Sequence, residues 1–119
     1  MARVLIVDDA AFMRMTIKQI IEADDHTMVA EAENGVEAIE KFMETKPDVV
    51  ILDISMPEMN GIETLKRLKI LNPAAKIIIC SAIGYQDLLA QAIECGAAEF
   101  ILKPFEKEQL INAIEKVMD

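Results

Sequence analysis

The sequence predicts an α/β sandwich: one domain with a central parallel sheet of five strands and helices on both faces. Two observations carry this. Short apolar runs at residues 4–7, 28–32, 49–52, 77–80 and 100–102 alternate with longer stretches whose apolar residues recur at helical spacing. Three of the runs are continuous and rich in Val or Ile, as strands covered on both faces require.

The elements follow in order. Behind the first run, Met13, Ile17, Ile20 and Ile21 form the apolar stripe of an amphipathic helix. Ile39, Phe42 and Met43 mark a second helix, stopped at Lys46-Pro47 because proline drives the preceding residue out of helical backbone. Ile62, Leu65 and Leu68 mark a third, stopped in the same way at Asn72-Pro73. Leu88, Leu89, Ala92 and Ile93 mark a fourth, closed by Cys95-Gly96 with glycine in the usual cap position. Leu110, Ala113, Ile114 and Val117 mark the fifth. No linker, low-complexity tract or repeat interrupts the series, so residues 1–119 read as one domain.

Bulk composition narrows the function classes. With 119 residues, 53% of them hydrophobic, the chain can close one core and is too short for two ordinary domains. Its 21 acidic and 12 basic residues leave a charge of -9, opposite to the basic face that a nucleic-acid backbone demands. No apolar run approaches the roughly 20 residues of a membrane helix. Residues 4–7 are too short for a secretory signal and end in Asp8-Asp9, so a cytoplasmic location is expected. Cys80 and Cys95 have no metal-ligand spacing and read as reduced packing residues, and His26 reads as a solvated turn residue.

Sheets of this kind bind ligands beyond the carboxyl ends of their strands, near the point where strand order reverses. Asp8-Asp9 follow the first strand, Asp53 the third and Lys103-Pro104 the fifth, and Ser81 ends the fourth. Singly each has a plain reading: a solvated helix start, a surface lysine, a loop serine. Jointly they put four compatible groups on one rim. Three crowded carboxylates repel one another unless a cation intervenes, and Mg²⁺ suits them because it binds a few carboxylates and keeps open positions for phosphoryl oxygens. A carboxylate can accept a phosphoryl group as an acyl phosphate. Lys103 would supply a second cation and Ser81 a hydroxyl donor.

The strings Val4-Leu5-Ile6-Val7-Asp8-Asp9, Asp53-Ile54-Ser55-Met56-Pro57-Glu58-Met59-Asn60-Gly61, Ser81-Ala82 and Lys103-Pro104-Phe105 make the chain resemble the receiver domains of bacterial and archaeal response regulators over essentially its whole length. Ala10-Ala11-Phe12-Met13-Arg14 makes it most similar to the free-standing chemotaxis regulators. The resemblance implies a flavodoxin-like (βα)5 doubly wound fold with strand order 2-1-3-4-5, an order carried over from the family. It implies Asp53 as phosphoacceptor, and Mg²⁺ on Asp9, Asp53 and the backbone carbonyl of Ser55, with Asp8 helping directly or through water. Ser81 and Lys103 would bind the phosphoryl oxygens, and a cis bond before Pro104 would aim Lys103 inward.

Gly61 would serve turn geometry at the end of an active-site loop spanning residues 56–61. Phe100 takes the place of a rotating switch aromatic, against which stands a plain reading as sheet core. Ser55 and an apolar Ile83 flank the path of a hydrolytic water, which implies slow self-hydrolysis. The implied partners are a histidine kinase, a motor switch or motor adaptor protein, and a phosphatase. The implied protein is a monomer that catalyses only its own phosphorylation and dephosphorylation.

Rival readings are a phosphorelay intermediate or the receiver of a transcription regulator. Two outside signalling are a metal-dependent phosphatase, for which the chain lacks an Asp-x-Asp arrangement and cap segment, and a flavin carrier, whose phosphate Asp8-Asp9 would repel.

Overall fold

The structure, a computed structural model, describes residues 1–55, 60–82 and 84–119. The elements are β1 (Arg3–Val7), α1 (Ala11–Glu22), β2 (Thr27–Ala32), α2 (Gly35–Thr45), β3 (Val49–Asp53), α3 (Gly61–Leu71), β4 (Lys76–Ala82), α4 (Gln86–Glu94), β5 (Glu99–Lys103) and α5 (Lys107–Met118). The strands pair in parallel in the order β2-β1-β3-β4-β5, as the flavodoxin-like reading expects.

Alternation along the strands sends side chains into two cores. Val4, Ile6, Val49, Ile51, Ile78 and Ile101 face Ile17 and Ile21 of α1 and Leu110, Ala113, Ile114 and Val117 of α5. Leu5, Val7, Val50, Leu52, Ile77 and Ile79 face Ala38 and Phe42 of α2, Leu65 and Leu68 of α3, and Ala92 of α4. Two of the stripe residues read from sequence lie outside these cores. Met43 and Ile93 are exposed because each follows, by one helical step, the residue that takes the core position, Phe42 or Ala92.

The helix ends follow local chemistry. Asn34 and Asn60 accept the N–H groups of Glu37 and Glu63 at 2.9 and 3.0 Å, capping α2 and α3. After α2, Lys46 takes a left-handed conformation (φ 47°) ahead of Pro47. Arg3 secures this bend by donating from its guanidinium to the carbonyls of Thr45 at 2.7 Å and Lys46 at 2.8 Å. Gly96 closes α4 at φ 100°.

Several expectations need correction. His26 is a buried residue: its Nδ1 accepts the N–H of Ala2 at 2.9 Å, which ties the start of β1 to the turn before β2. Phe100 is 40% exposed, so it is not sheet core, because β5 is an edge strand and only Ile101 of its apolar run is buried. Cys80 and Cys95 are free thiols as expected, and burial pushes the Cys80 thiol up to about 12. The readings placed on residues 56–59 and on Ile83 lie outside the described residues.

Gly61 is required for packing and not for a turn. A β-carbon built there would lie 2.7 Å from Ile54 Cα and 2.8 Å from its Cγ2, far inside contact distance. The first residue of α3 therefore sits directly on the strand-end residue that follows Asp53. Gly61→Ala should destabilise the protein by about 1–3 kcal/mol through overpacking, read from the midpoint of urea unfolding. An unchanged midpoint would show that α3 can retreat from Ile54 without cost.

Candidate functional site

The sheet topology builds the site. Val7 pairs with Leu52, so the residues that follow, Asp8 and Asp53, emerge side by side from β1 and β3. The chain turns to β2 on one side of β1 and to β3, β4 and β5 on the other, so this is where strand order reverses. Asp53 pairs with Cys80, and Ala82 with Lys103, which brings the end of β5 to the same rim. The Lys103-Pro104 peptide bond is cis.

Asp8 and Asp53 are 2% and 4% exposed. Lys103 Nζ lies between them, donating to Asp8 Oδ2 at 2.8 Å and to Asp53 Oδ2 at 2.7 Å. The other oxygens are also held. Asp8 Oδ1 accepts the N–H of Ala10 at 2.8 Å, and Asp53 Oδ1 accepts both the N–H and the hydroxyl of Ser55, at 2.8 and 2.7 Å. Asp9 is exposed, and one carboxylate oxygen from each of Asp8, Asp9 and Asp53 lies within 4.8 Å of the others.

Ser81 differs from the rest. It is fully buried on β4, which runs one residue past it, and its hydroxyl donates to the Ala82 carbonyl at 3.1 Å. The structure thus joins Asp8, Asp53, Ser55 and Lys103 in one hydrogen-bonded group and leaves the Ser81 hydroxyl turned aside. Two contacts were not read from the sequence. The sequence assigns Ser55 a carbonyl ligand and a place beside the hydrolytic water, and the structure adds its N–H and hydroxyl bonds to Asp53, which a serine two residues after an aspartate can make locally. Arg14, one turn into α1, donates to the Asp8 carbonyl and to Glu31, each at 2.6 Å. Its place as the fourth residue of α1 was the available signal.

Charge decides the chemistry of this group. At separations under 4.8 Å and an effective dielectric of about 20, Asp8 and Asp53 repel by at least about 3 kcal/mol. On the same scale each Lys103 contact attracts by about 6 kcal/mol, so the lysine prevails and the cluster closes. Lys103 bonds two members of a group of three carboxylates. Burial pushes Asp8 above the usual carboxylate range, more than the bonds from Lys103 and Ala10 draw it down. Burial works to lower Lys103, but its bonds to Asp53 and Asp8 outweigh that and hold it above its ordinary value. The site therefore has room for further positive charge, and its all-oxygen donor set suits a hard divalent cation.

Lys103→Met should leave two buried carboxylates uncompensated and cost about 3 kcal/mol at neutral pH, measured by urea unfolding without divalent metal. Lowering the pH should then recover part of the loss, because Asp8, pushed up by burial and no longer drawn down by Lys103, would take up its proton before an unfolded aspartate does. A variant as stable as the parent at pH 7 would show that solvent already screens the pair.

The sequence pattern of the response regulator receiver domain matches residues 4–115. Chemotaxis protein CheY of Thermotoga maritima is 53% identical over 115 residues, covering 97% of this chain and 96% of that one. Chemotaxis protein CheY of Halobacterium salinarum is 41% identical, covering 98% and 96%. The crystal structure of a response regulator receiver domain protein from Clostridium thermocellum superposes with a TM-score of 0.92 at 30% identity, covering 99% of this chain and 94% of that one. The order of the strands, the acidic rim and these likenesses agree: the chain belongs to the response regulator receiver domain family.

Proposed function

We propose that this receiver is a chemotaxis response regulator, switched by a phosphoryl group that a histidine kinase delivers to Asp53. The observation that carries the proposal is the pair of bonds from Lys103 to Asp53 and Asp8 within a cluster of three carboxylates. A buried aspartate with a lysine beside it and spare negative charge around it suits a nucleophile whose product is still more anionic.

Asp8, Asp9, Asp53 and the backbone carbonyl of Ser55 would hold Mg²⁺, and the oxygen chemistry of that set fits the ion. When bound, Mg²⁺ supplies charge that offsets the incoming phosphoryl oxygens. The protein's own residues do the rest. An Asp53 oxygen attacks phosphorus as the bond from phosphorus to the donor histidine nitrogen breaks, and the electron pair leaves with the imidazole. Lys103 shifts from carboxylate to phosphoryl oxygen, and Ser81 turns its hydroxyl from the Ala82 carbonyl to another.

Output follows from that movement. Phosphorylation replaces the single charge of the Asp53 carboxylate with the roughly -1.5 to -2 charges and three acceptor oxygens of a phosphoryl group, drawing Ser81 and the chain beyond β4 towards it. Phe100, now 40% exposed, can then turn inward and alter the surface made by α4, β5 and α5. Phenylalanine has no hydroxyl to desolvate in that move. The target is a motor switch or motor adaptor protein, a phosphatase ends the signal, and the protein acts as a cytoplasmic monomer. No helix among the described residues is long and apolar enough to cross a membrane.

Asp53→Asn should abolish acid-labile, hydroxylamine-sensitive labelling by a small phosphodonor in the presence of Mg²⁺, because the amide is neither a comparable nucleophile nor an anionic ligand. Full labelling of the variant would refute the assignment. Onward transfer of the label to a second histidine protein would mark a phosphorelay intermediate instead.

A further inference from the structure

Arg14 spreads one guanidinium over two acceptors on two other elements. Nη1 donates to the backbone carbonyl of Asp8, just past β1, and Nε donates to Glu31 Oε1 on β2, both at 2.6 Å. The Arg14 side chain is only 12% exposed. One residue thus joins α1, β2 and the end of β1 beside the carboxylate cluster.

The peptide that Arg14 holds is the one linking Asp8 to Asp9. On its Asp8 side the chain is already fixed, since the Asp8 N–H donates to the Ala32 carbonyl at 3.1 Å and Asp8 Oδ1 accepts the Ala10 N–H at 2.8 Å. That second bond spans the Asp8–Asp9 peptide, and Arg14 adds a further restraint on the carbonyl of the same peptide. Rotating that peptide would swing the Asp9 carboxylate relative to Asp8 and Asp53. A short, charge-assisted bond from a planar fork whose other arm is anchored on Glu31 resists the rotation, where a single ammonium would supply charge without a fixed direction.

We infer that Arg14 is a positioning residue for the metal pocket: clamped against Glu31, it orients the Asp8–Asp9 peptide and so sets the place of the Asp9 carboxylate. The inference rests on the Mg²⁺ reading above and extends it to a residue that makes no contact with the ion.

The test compares the full chain with Arg14→Lys, Arg14→Ala and Glu31→Ala. In metal-free protein, ¹⁵N relaxation should show the order parameters of the Asp9 and Ala10 amides falling from about 0.85 towards about 0.6 in Arg14→Lys, with β1 and β3 unchanged. Calorimetric titration should show Mg²⁺ binding weakened about tenfold in both Arg14 variants, and less in Glu31→Ala. Phosphorylation at saturating Mg²⁺ should stay near the parent rate, since the nucleophile and Lys103 are untouched. Arg14→Lys indistinguishable from the parent in both amide order and Mg²⁺ affinity would overturn the inference, leaving charge as the residue's sole contribution. If Arg14→Ala does not fold, Arg14→Lys and Glu31→Ala carry the comparison. Amides loosened in the variants of a parent that binds no Mg²⁺ would sink the metal reading and leave the clamp standing.

Discussion

Two nearly buried carboxylates share one lysine, and much of the molecule is arranged to make that tolerable. Asp8 and Asp53 could not both sit at 2% and 4% exposure as anions without Lys103 between them. The lysine can stand there because β5 ends on the same rim as β1 and β3, although it is two strands away from β3 in the sheet. Lys103 bonds two of the three carboxylates that gather on this rim. A core built for stability alone would fill this rim with apolar side chains. What is kept is a cluster of three carboxylates with the oxygen donors that a hard divalent cation suits.

The packing around the rim limits how far that site can relax. Gly61 places the start of α3 against Ile54, so the residue after Asp53 is pinned from one side. Ser55 pins Asp53 from the other through its N–H and hydroxyl. Asp8 is tied to β2 and to Ala10, and Arg14 draws the next peptide towards α1. β5 by contrast is an edge strand with Phe100 and Leu102 half outward. A stiff acidic rim beside a lightly covered edge is a reasonable construction for a switch, since a change of charge at the first can be expressed as a change of surface at the second.

Much of this was legible in the sequence, for reasons that can be named. The strands declared themselves because a doubly covered parallel strand must be apolar throughout, as in Val49, Val50, Ile51 and Leu52. Asp8, Asp53 and Lys103 were legible as a group because each follows a strand, and topology brings strand ends together. Strand order itself came from family likeness, since local pattern says nothing about which strands are neighbours. His26 was misread because its burial depends on the Ala2 N–H, a partner 24 residues away. Gly61 was misread because the need for it lies in Ile54, seven residues earlier in the chain, while its own backbone is ordinary helix. The Ser81 hydroxyl, aimed at Ala82, shows the remaining limit: residue type and position do not fix a rotamer.

The claim on which this account depends is that the rim holds a divalent cation. Titrating metal-free protein with Mg²⁺ while following backbone amide resonances tests it without any phosphodonor. A single saturable transition is expected, with the largest shifts at Asp8, Asp9, Asp53 and Ser55 and a secondary shift at Lys103. Absence of saturation at millimolar Mg²⁺, or shifts centred on another acidic stretch such as Asp24-Asp25, would contradict it.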